Sequence, residues 1–572
     1  MSHLKNHSRR RFLTSSSLGM LSLAGFPGLL SAMGNMHSTR APEGLPKMAP
    51  NKASANFKAD VELELYCRSN SVAILPGQST LIQQYSAKLL KGPENTLTEI
   101  PGSYLGPIIR LQKGQKVRIH LINKLAEPTI THWHGLHVPV VMDGPPVYAI
   151  DPGERYVYEF EVLNRASMNI YHPHPHENTA RQVYNGLAGA LIVNDEEEAA
   201  LGLPSGEFEI PIVIQDRLFD DNNQLVYVRN MHERMMGFYG DRILVNGRSN
   251  VKFDVASRAY RLRFMNGSTA RIYKLAWEDG TPITVLGVDG GLLESPETKA
   301  YVMLAPGERL DVWADFSGRS EGSQIVMRSA AFSGALPKMA SRMMGGMMNV
   351  NSLPVGSDYP IFTVRVTKKV SDSPKLPGQL SKIYRYSPSD TANPQKPIPI
   401  AISEAHMALL LNGRPYAYND PQDFERIKVN SIQLLEIFHS HGGMGMMGGM
   451  GGRHGGMGMM GGMGHRNNNP ESGESMGMGG GMGMMMTMAH PIHLHGQSFQ
   501  IVSRSIINNA ADDYATVSEG FIESGFKDTV LVMPGETIRI IKPFQDYKGL
   551  FLYHCHNLEH EDMGMMREFL VE

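Results

Sequence analysis

The chain has 572 residues, a formal net charge of −2 and 19% charged residues. That length holds about three or four domains of ordinary size. The near-neutral balance argues against a nucleic-acid partner, since no basic excess is present to neutralise a phosphate backbone.

Residues 1–34 read as a targeting segment. Ser8-Arg9-Arg10-Arg11-Phe12-Leu13 resembles the twin-arginine export motif, and an apolar run follows from 18 to about 33. The run is too short and too rich in Gly and Ser to span a bilayer stably. The expected partner is therefore the twin-arginine export machinery, with cleavage near Ala32 to Gly34 and a periplasmic mature protein. Residues 35–55 are rich in Pro, Ala, Lys and Asn and read as a linker.

Short alternating strands follow, as at 61–66 and 116–121. A three-fold echo runs through them. Asp151-Pro152-Gly153-Glu154, Ala305-Pro306-Gly307-Glu308 and Met533-Pro534-Gly535-Glu536 each lead into an alternating segment. A repeated turn-and-strand unit predicts an all-β chain of three consecutive Greek-key β-sandwich domains. Composition shifts put these at 56–200, 205–367 and 381–572. The second domain has a single His, His232, and reads as a spacer.

Metal-ligand residues concentrate in the first and third domains. His132-Trp133-His134, His172-Pro173-His174 and His493-Leu494-His495 each put two imidazoles on one face of an extended segment. The C-terminal run Tyr553-His554-Cys555-His556 does the same, with Cys555 on the opposite face. A thiolate, two imidazoles and a thioether make an electron-transfer copper site. Cys555, His560 and Met565 supply three of these, and the second imidazole must come from elsewhere. With Cys555 as a ligand, Cys67 has no disulfide partner and reads as a small strand residue.

Residues 441–488 are nearly pure Gly and Met, with fifteen Met plus His441, His454 and His465. Such a composition cannot build a packed core, and thioethers select Cu(I) over harder ions. A smaller echo at 339–348 carries Met343, Met344, Met347 and Met348.

The four His motifs, in this order, resemble those of multicopper oxidases over nearly the whole mature chain. The resemblance implies cupredoxin-like domains, four copper ions as cofactors, and O2 as the oxidant of a reducing substrate. It assigns His490, Cys555 and His560, with axial Met565, to a type 1 copper. His132 and His493 fall to a type 2 copper. His134, His172, His174, His495, His554 and His556 fall to a type 3 pair. His174-Pro175-His176 offers another register, but Tyr171 favours the first. Asp143 and Glu561 match the family's proton-handling acids, while Asp528 reads as a structural acid behind the ligands. His120 and His137 are expected to serve hydrogen bonding or packing.

Export and the Met-rich insert make the resemblance strongest to periplasmic cuprous oxidases. Met486 and Met488 stand where relatives place substrate-site residues just ahead of the His490 motif. The alternative is a laccase-like oxidase of phenols, Fe(II) or Mn(II). A copper-binding or structural protein on the same scaffold would be expected to lose ligands, and none is missing.

Overall fold

The computed structural model describes residues 45–337, 353–405, 408–439 and 487–572. The leader, the stretch 339–348, Met486 and nearly all of the insert lie outside the described residues. Leu45–Glu572 forms one compact unit. Among the described residues, no helix is long and apolar enough to cross a membrane.

Six sheets pair into three sandwiches, each around its own apolar core. The first joins a four-stranded sheet, built on Val61–Val72, to a five-stranded one that carries Thr131–His134 and Ser167–Pro173. The second joins sheets of seven and five strands between Glu209 and Lys368. The third joins two five-stranded sheets, one of which carries His490–Leu494 and Gly549–Cys555. Val61, Leu63, Leu65 and Cys67 alternate into the first core as the period-2 pattern predicts, whereas strands such as Ser167–Pro173 and Ala259–Asn266 are buried along their whole length. Cys67 is fully buried in the first core.

The three-fold echo is a repeated turn. In each copy the fourth residue's N–H donates to the first residue's carbonyl at 3.0 Å, and the Gly is left-handed, with φ between 74° and 87°. This is the type II pattern, in which Gly removes the steric cost of positive φ. Each Glu carboxylate also accepts from the N–H of the turn's first residue: Glu154 from Asp151, Glu308 from Ala305, Glu536 from Met533. The repeat in sequence is thus a repeat of one hydrogen-bonded device.

Part of the expected linker is not free chain. Met48 N–H donates to Val147 O at 2.8 Å, and Val157 N–H donates to Asn51 O at 3.1 Å. Backbone groups of the turn Pro146–Tyr148 and the strand Arg155–Glu161 hold the segment against the first sandwich.

Candidate metal centre

Strand register brings the imidazoles together. His132 lies opposite His172, and His493 lies opposite His554. Side chains at i and i+2 leave the same face, so each His-x-His motif sends both rings into one buried space. Ring centroids are 5.8 Å apart for His132 and His134, and 5.7 Å for His554 and His556. The eight rings come four from the first sandwich and four from the third. His172 and His174 lie inside this cluster, 5.4 and 5.5 Å from the His132 ring. His176 lies outside it, facing Tyr416.

Ligand atoms fall into compact groups. His134, His172 and His556 form one triad, and His174, His495 and His554 form another. His132 and His493 each border the His134 ring, so one two-imidazole position remains at that corner. On the opposite face of Gly549–Cys555, Cys555 Sγ is 3.4 Å from His490 Nδ1 and 3.6 Å from His560 Nδ1. The helix Leu558–Asp562 turns the chain back to deliver His560. Met565 is fully buried in the same core, and Cys555 N–H donates to its carbonyl at 3.1 Å.

The imidazoles are oriented from behind. His132 Nδ1 donates to Asp143 O at 2.7 Å, and His493 Nδ1 to Asp528 O at 2.9 Å. His172 Nδ1 donates to Pro173 O, and His495 Nδ1 to Asp143 Oδ2 at 2.6 Å. His134 is reversed: its Nε2 donates to Asp528 Oδ1 at 3.0 Å. The opposite nitrogens are left buried without a protein partner: His132 Nε2, His134 Nδ1, His172 Nε2 and His493 Nε2, together with both of His556. Buried polar atoms are normally satisfied. A set of inward-facing orphan nitrogens, four of them on rings fixed by a bond at the other position, is the pattern of metal ligation.

Electrostatics agree. Burial first, and neighbouring imidazoles second, hold His172, His174, His495 and His556 well below the usual range. Burial likewise lowers His493 to about 4. These five rings are thus neutral at physiological pH, the form that binds a metal ion. The donor set, imidazoles plus one thiol, suits copper.

The acids divide by their contacts. Glu561 Oε2 is 3.1 Å from His554 Nδ1, and its Oε1 is 3.6 Å from His174 Nε2. Asp143 Oδ1 is buried, makes no hydrogen bond and lies 3.3 Å from His132 Nδ1. Asp528 is fully engaged: Oδ1 takes Arg309 Nη1 at 2.7 Å, His134 Nε2 and Thr529 Oγ1, and Oδ2 takes Arg309 Nη2. His120 bonds Glu62 and His137 bonds Asp546.

Several supporting residues carry no motif. Glu404, on Ile398–Ala405, accepts from His490 Nε2 at 2.8 Å and from Met488 N–H at 2.9 Å. His439 Nδ1 lies 3.8 Å from the other Glu404 oxygen. Met235 O accepts from His560 Nε2 at 3.0 Å. The second sandwich therefore supplies no imidazole but does more than space its neighbours.

Two segments, residues 81–198 and 481–572, match family models described as "Multicopper oxidase". The chain is 30% identical over 472 residues to "Multicopper oxidase mco" of Staphylococcus haemolyticus, covering 82% of this chain and 83% of that protein. The chain belongs to the multicopper oxidase family. It is also 27% identical to "Laccase" of Bacillus subtilis, over 83% of this chain and 90% of that one. Among solved structures it resembles the McoA multicopper oxidase of Aquifex aeolicus, with a TM-score of 0.68 and 29% identity, covering 92% and 99% of the two chains. The protein is thus an O2-reducing oxidoreductase, and the three-sandwich fold is that of multicopper oxidase structures.

Proposed function

We propose that this oxidase holds four coppers and that its reducing substrate is Cu(I), oxidised in the periplasm after twin-arginine export. His490, Cys555 and His560, with Met565, would hold the electron-accepting copper. His132 and His493 would hold the second, and the two His triads the remaining pair. Bound copper supplies one-electron redox chemistry and the reduction of O2 to two waters.

The protein's own residues do the rest. Cys555 joins the outer site to the inner one through the shortest covalent route, since His554 and His556 flank it. Burial of all eight rings excludes bulk water from the cluster. Glu561, touching His554 and His174, is placed to pass protons to the cluster. Asp143, with one oxygen on His495 Nδ1 and the other 3.3 Å from His132 Nδ1, is placed to serve the other side.

The cuprous reading rests on Glu404. The outward nitrogen of His490 donates to a carboxylate that is 9% exposed. Burial acts to raise the Glu404 pKa, but hydrogen bonds from His439 and His490 outweigh it and hold the group at about 2. A fixed negative charge against the electron-entry imidazole favours a cationic substrate. The Met-rich composition of the adjoining insert makes a soft cation the best match.

Likeness to laccases supports phenols as a second reading. Steady-state kcat/KM for Cu(I), a phenol and Fe(II) on one preparation separates the two. The cuprous reading expects Cu(I) to lead by tenfold or more, and a phenol preference overturns it.

A further inference from the structure

The side chain of Arg309 carries the second sandwich to the eight-imidazole cluster. Arg309 opens the strand Arg309–Asp315, directly after the Ala305–Glu308 turn, and is 1% exposed. All five of its guanidinium N–H groups are used. Nε donates to Met168 O at 3.0 Å, in the first sandwich. Nη1 donates to Gly307 O at 2.8 Å and to Asp528 Oδ1 at 2.7 Å. Nη2 donates to Asp289 O at 3.2 Å and to Asp528 Oδ2. One planar fork thus binds backbone of two sandwiches and both carboxylate oxygens of the third, a geometry no ammonium can copy.

Asp528 is the hinge of this arrangement. Its Oδ1 fixes His134 by Nε2, and its carbonyl fixes His493 by Nδ1. The two rings stack with centroids 3.7 Å apart. The surroundings are shaped to admit the pair. A Cβ on Gly135, next to His134, would fall 2.7 Å from Arg309 Nη2 and 3.0 Å from Asp528 Oδ2. A Cβ on Gly307 would fall 3.0 Å from both His134 and His556. Lys527 and Asp289 close the network, with Nζ 3.1 Å from Asp289 Oδ2.

We propose that Arg309 is a positioning residue for copper: by locking Asp528 against His134 and His493, it makes the second sandwich a determinant of metal binding at that corner of the cluster. The proposal rests on the ligand assignment above. Arg309 touches no ligand nitrogen itself. It sets which nitrogen of each ring faces inward, and loss of such a partner typically lowers metal affinity about 10–100-fold.

The test is Arg309→Met and Arg309→Lys in the full chain, loaded with Cu(II) and compared with wild type. Copper per protein, the blue thiolate band and the electron paramagnetic resonance signal of the non-blue copper are read on each. Wild type with four coppers and both signals supports the ligand assignment, and its failure there sinks that assignment alone. The expected result is a normal blue band with the non-blue signal altered or lost, and retention at the cluster against a chelator lowered at least tenfold. Arg309→Lys, keeping charge without the fork, should fall between. Native copper content and an unchanged non-blue signal in Arg309→Met overturn the proposal. So does parallel loss of blue and non-blue copper, which marks a general packing defect. Should Arg309→Met fail to fold, Arg309→Lys decides by the same two criteria.

Discussion

His490 Nε2 donates to Glu404 Oε1 at 2.8 Å, while its Nδ1 faces Cys555 Sγ at 3.4 Å. One ring therefore joins the thiol of the outer site to a buried carboxylate contributed by a different strand. A carboxylate behind a ligating imidazole fixes its tautomer and raises its basicity. On the proposed assignment it also places a negative charge where an incoming electron donor would approach.

Glu404→Gln keeps an oxygen that can accept from His490 but removes the charge. The blue band should persist, and the reduction potential of that site should rise, because the oxidised form loses a neighbouring anion. KM for Cu(I) should rise about tenfold, the equivalent of ~1.4 kcal/mol, with phenol kcat/KM changed by less than about twofold. Steady-state kinetics on both substrates and a redox titration check this. Equal effects on Cu(I) and phenol would show that Glu404 only supports the ring.

Cys555→Ser should abolish the blue colour and oxidase turnover while leaving the cluster's copper bound. The Cys555 thiol meets His490 and His560 on one face, and the eight cluster rings lie on the other. Absorption spectroscopy and copper analysis of the purified variant read both halves. Survival of the intense charge-transfer band would reject Cys555 as the thiolate ligand.

Much of this centre was legible because period-2 geometry is local. Any His-x-His on a strand puts both rings on one face, and the register of Thr131–His134 against Ser167–Pro173 then follows from sandwich pairing. Likewise the three Pro-Gly-Glu turns announced their own hydrogen bonds. Residues that orient the ligands were not legible, since they are brought in from far along the chain. Glu404 lies 86 positions from His490, and Arg309 lies 219 from Asp528. Neither sits in a motif, and His439 without ligand spacing gave no sign of its place beside Glu404. An Arg placed directly after a Pro-Gly-Glu turn was the hint available.

Without copper, stability should fall steeply below neutral pH. The His493 pKa is held at about 4 in the folded chain, chiefly by burial, against 6.5 unperturbed. Between those values the unfolded state binds a proton that the folded state refuses. Stability is therefore fully present above about pH 6.5 and lost as pH falls toward 4, by about 3 kcal/mol for this ring alone. His172, His174, His495 and His556 are lowered in the same direction. Thermal midpoints of the copper-free protein should drop between pH 7 and 5, and copper should move that fall to lower pH. A flat profile for the copper-free protein would mean that the cluster takes up water and protons freely.

Glu561→Gln should slow O2 reduction by about 100-fold, the scale of a lost general acid. Reduction of the blue copper should be nearly unaffected. Glu561 contacts His554 and His174 but is no ligand. Rapid-mixing measurement of reoxidation against reduction separates the steps. Equal rates in variant and wild type would reduce Glu561 to a structural acid.

The Met/Gly insert gives the sharpest test of substrate. The chain enters it after His439 and returns through Met488, and both flanks meet Glu404: His439 Nδ1 at 3.8 Å, Met488 N–H at 2.9 Å. The two described ends of the insert are thus fixed beside Glu404 and the His490 ring it bonds. Deleting about 442–484 should have opposite effects on two substrates. Cu(I) oxidation should fall at low copper, because thioethers that raise the local concentration of the ion are gone. Oxidation of bulky phenols should rise, because less chain is tethered between the two anchors beside Glu404. The thermal midpoint should change little, since closing a shorter loop between the same anchors costs slightly less entropy. No change in either activity would mark the insert as idle. A joint fall in both activities and in stability would make it a structural part of the third sandwich and remove it from the capture of Cu(I).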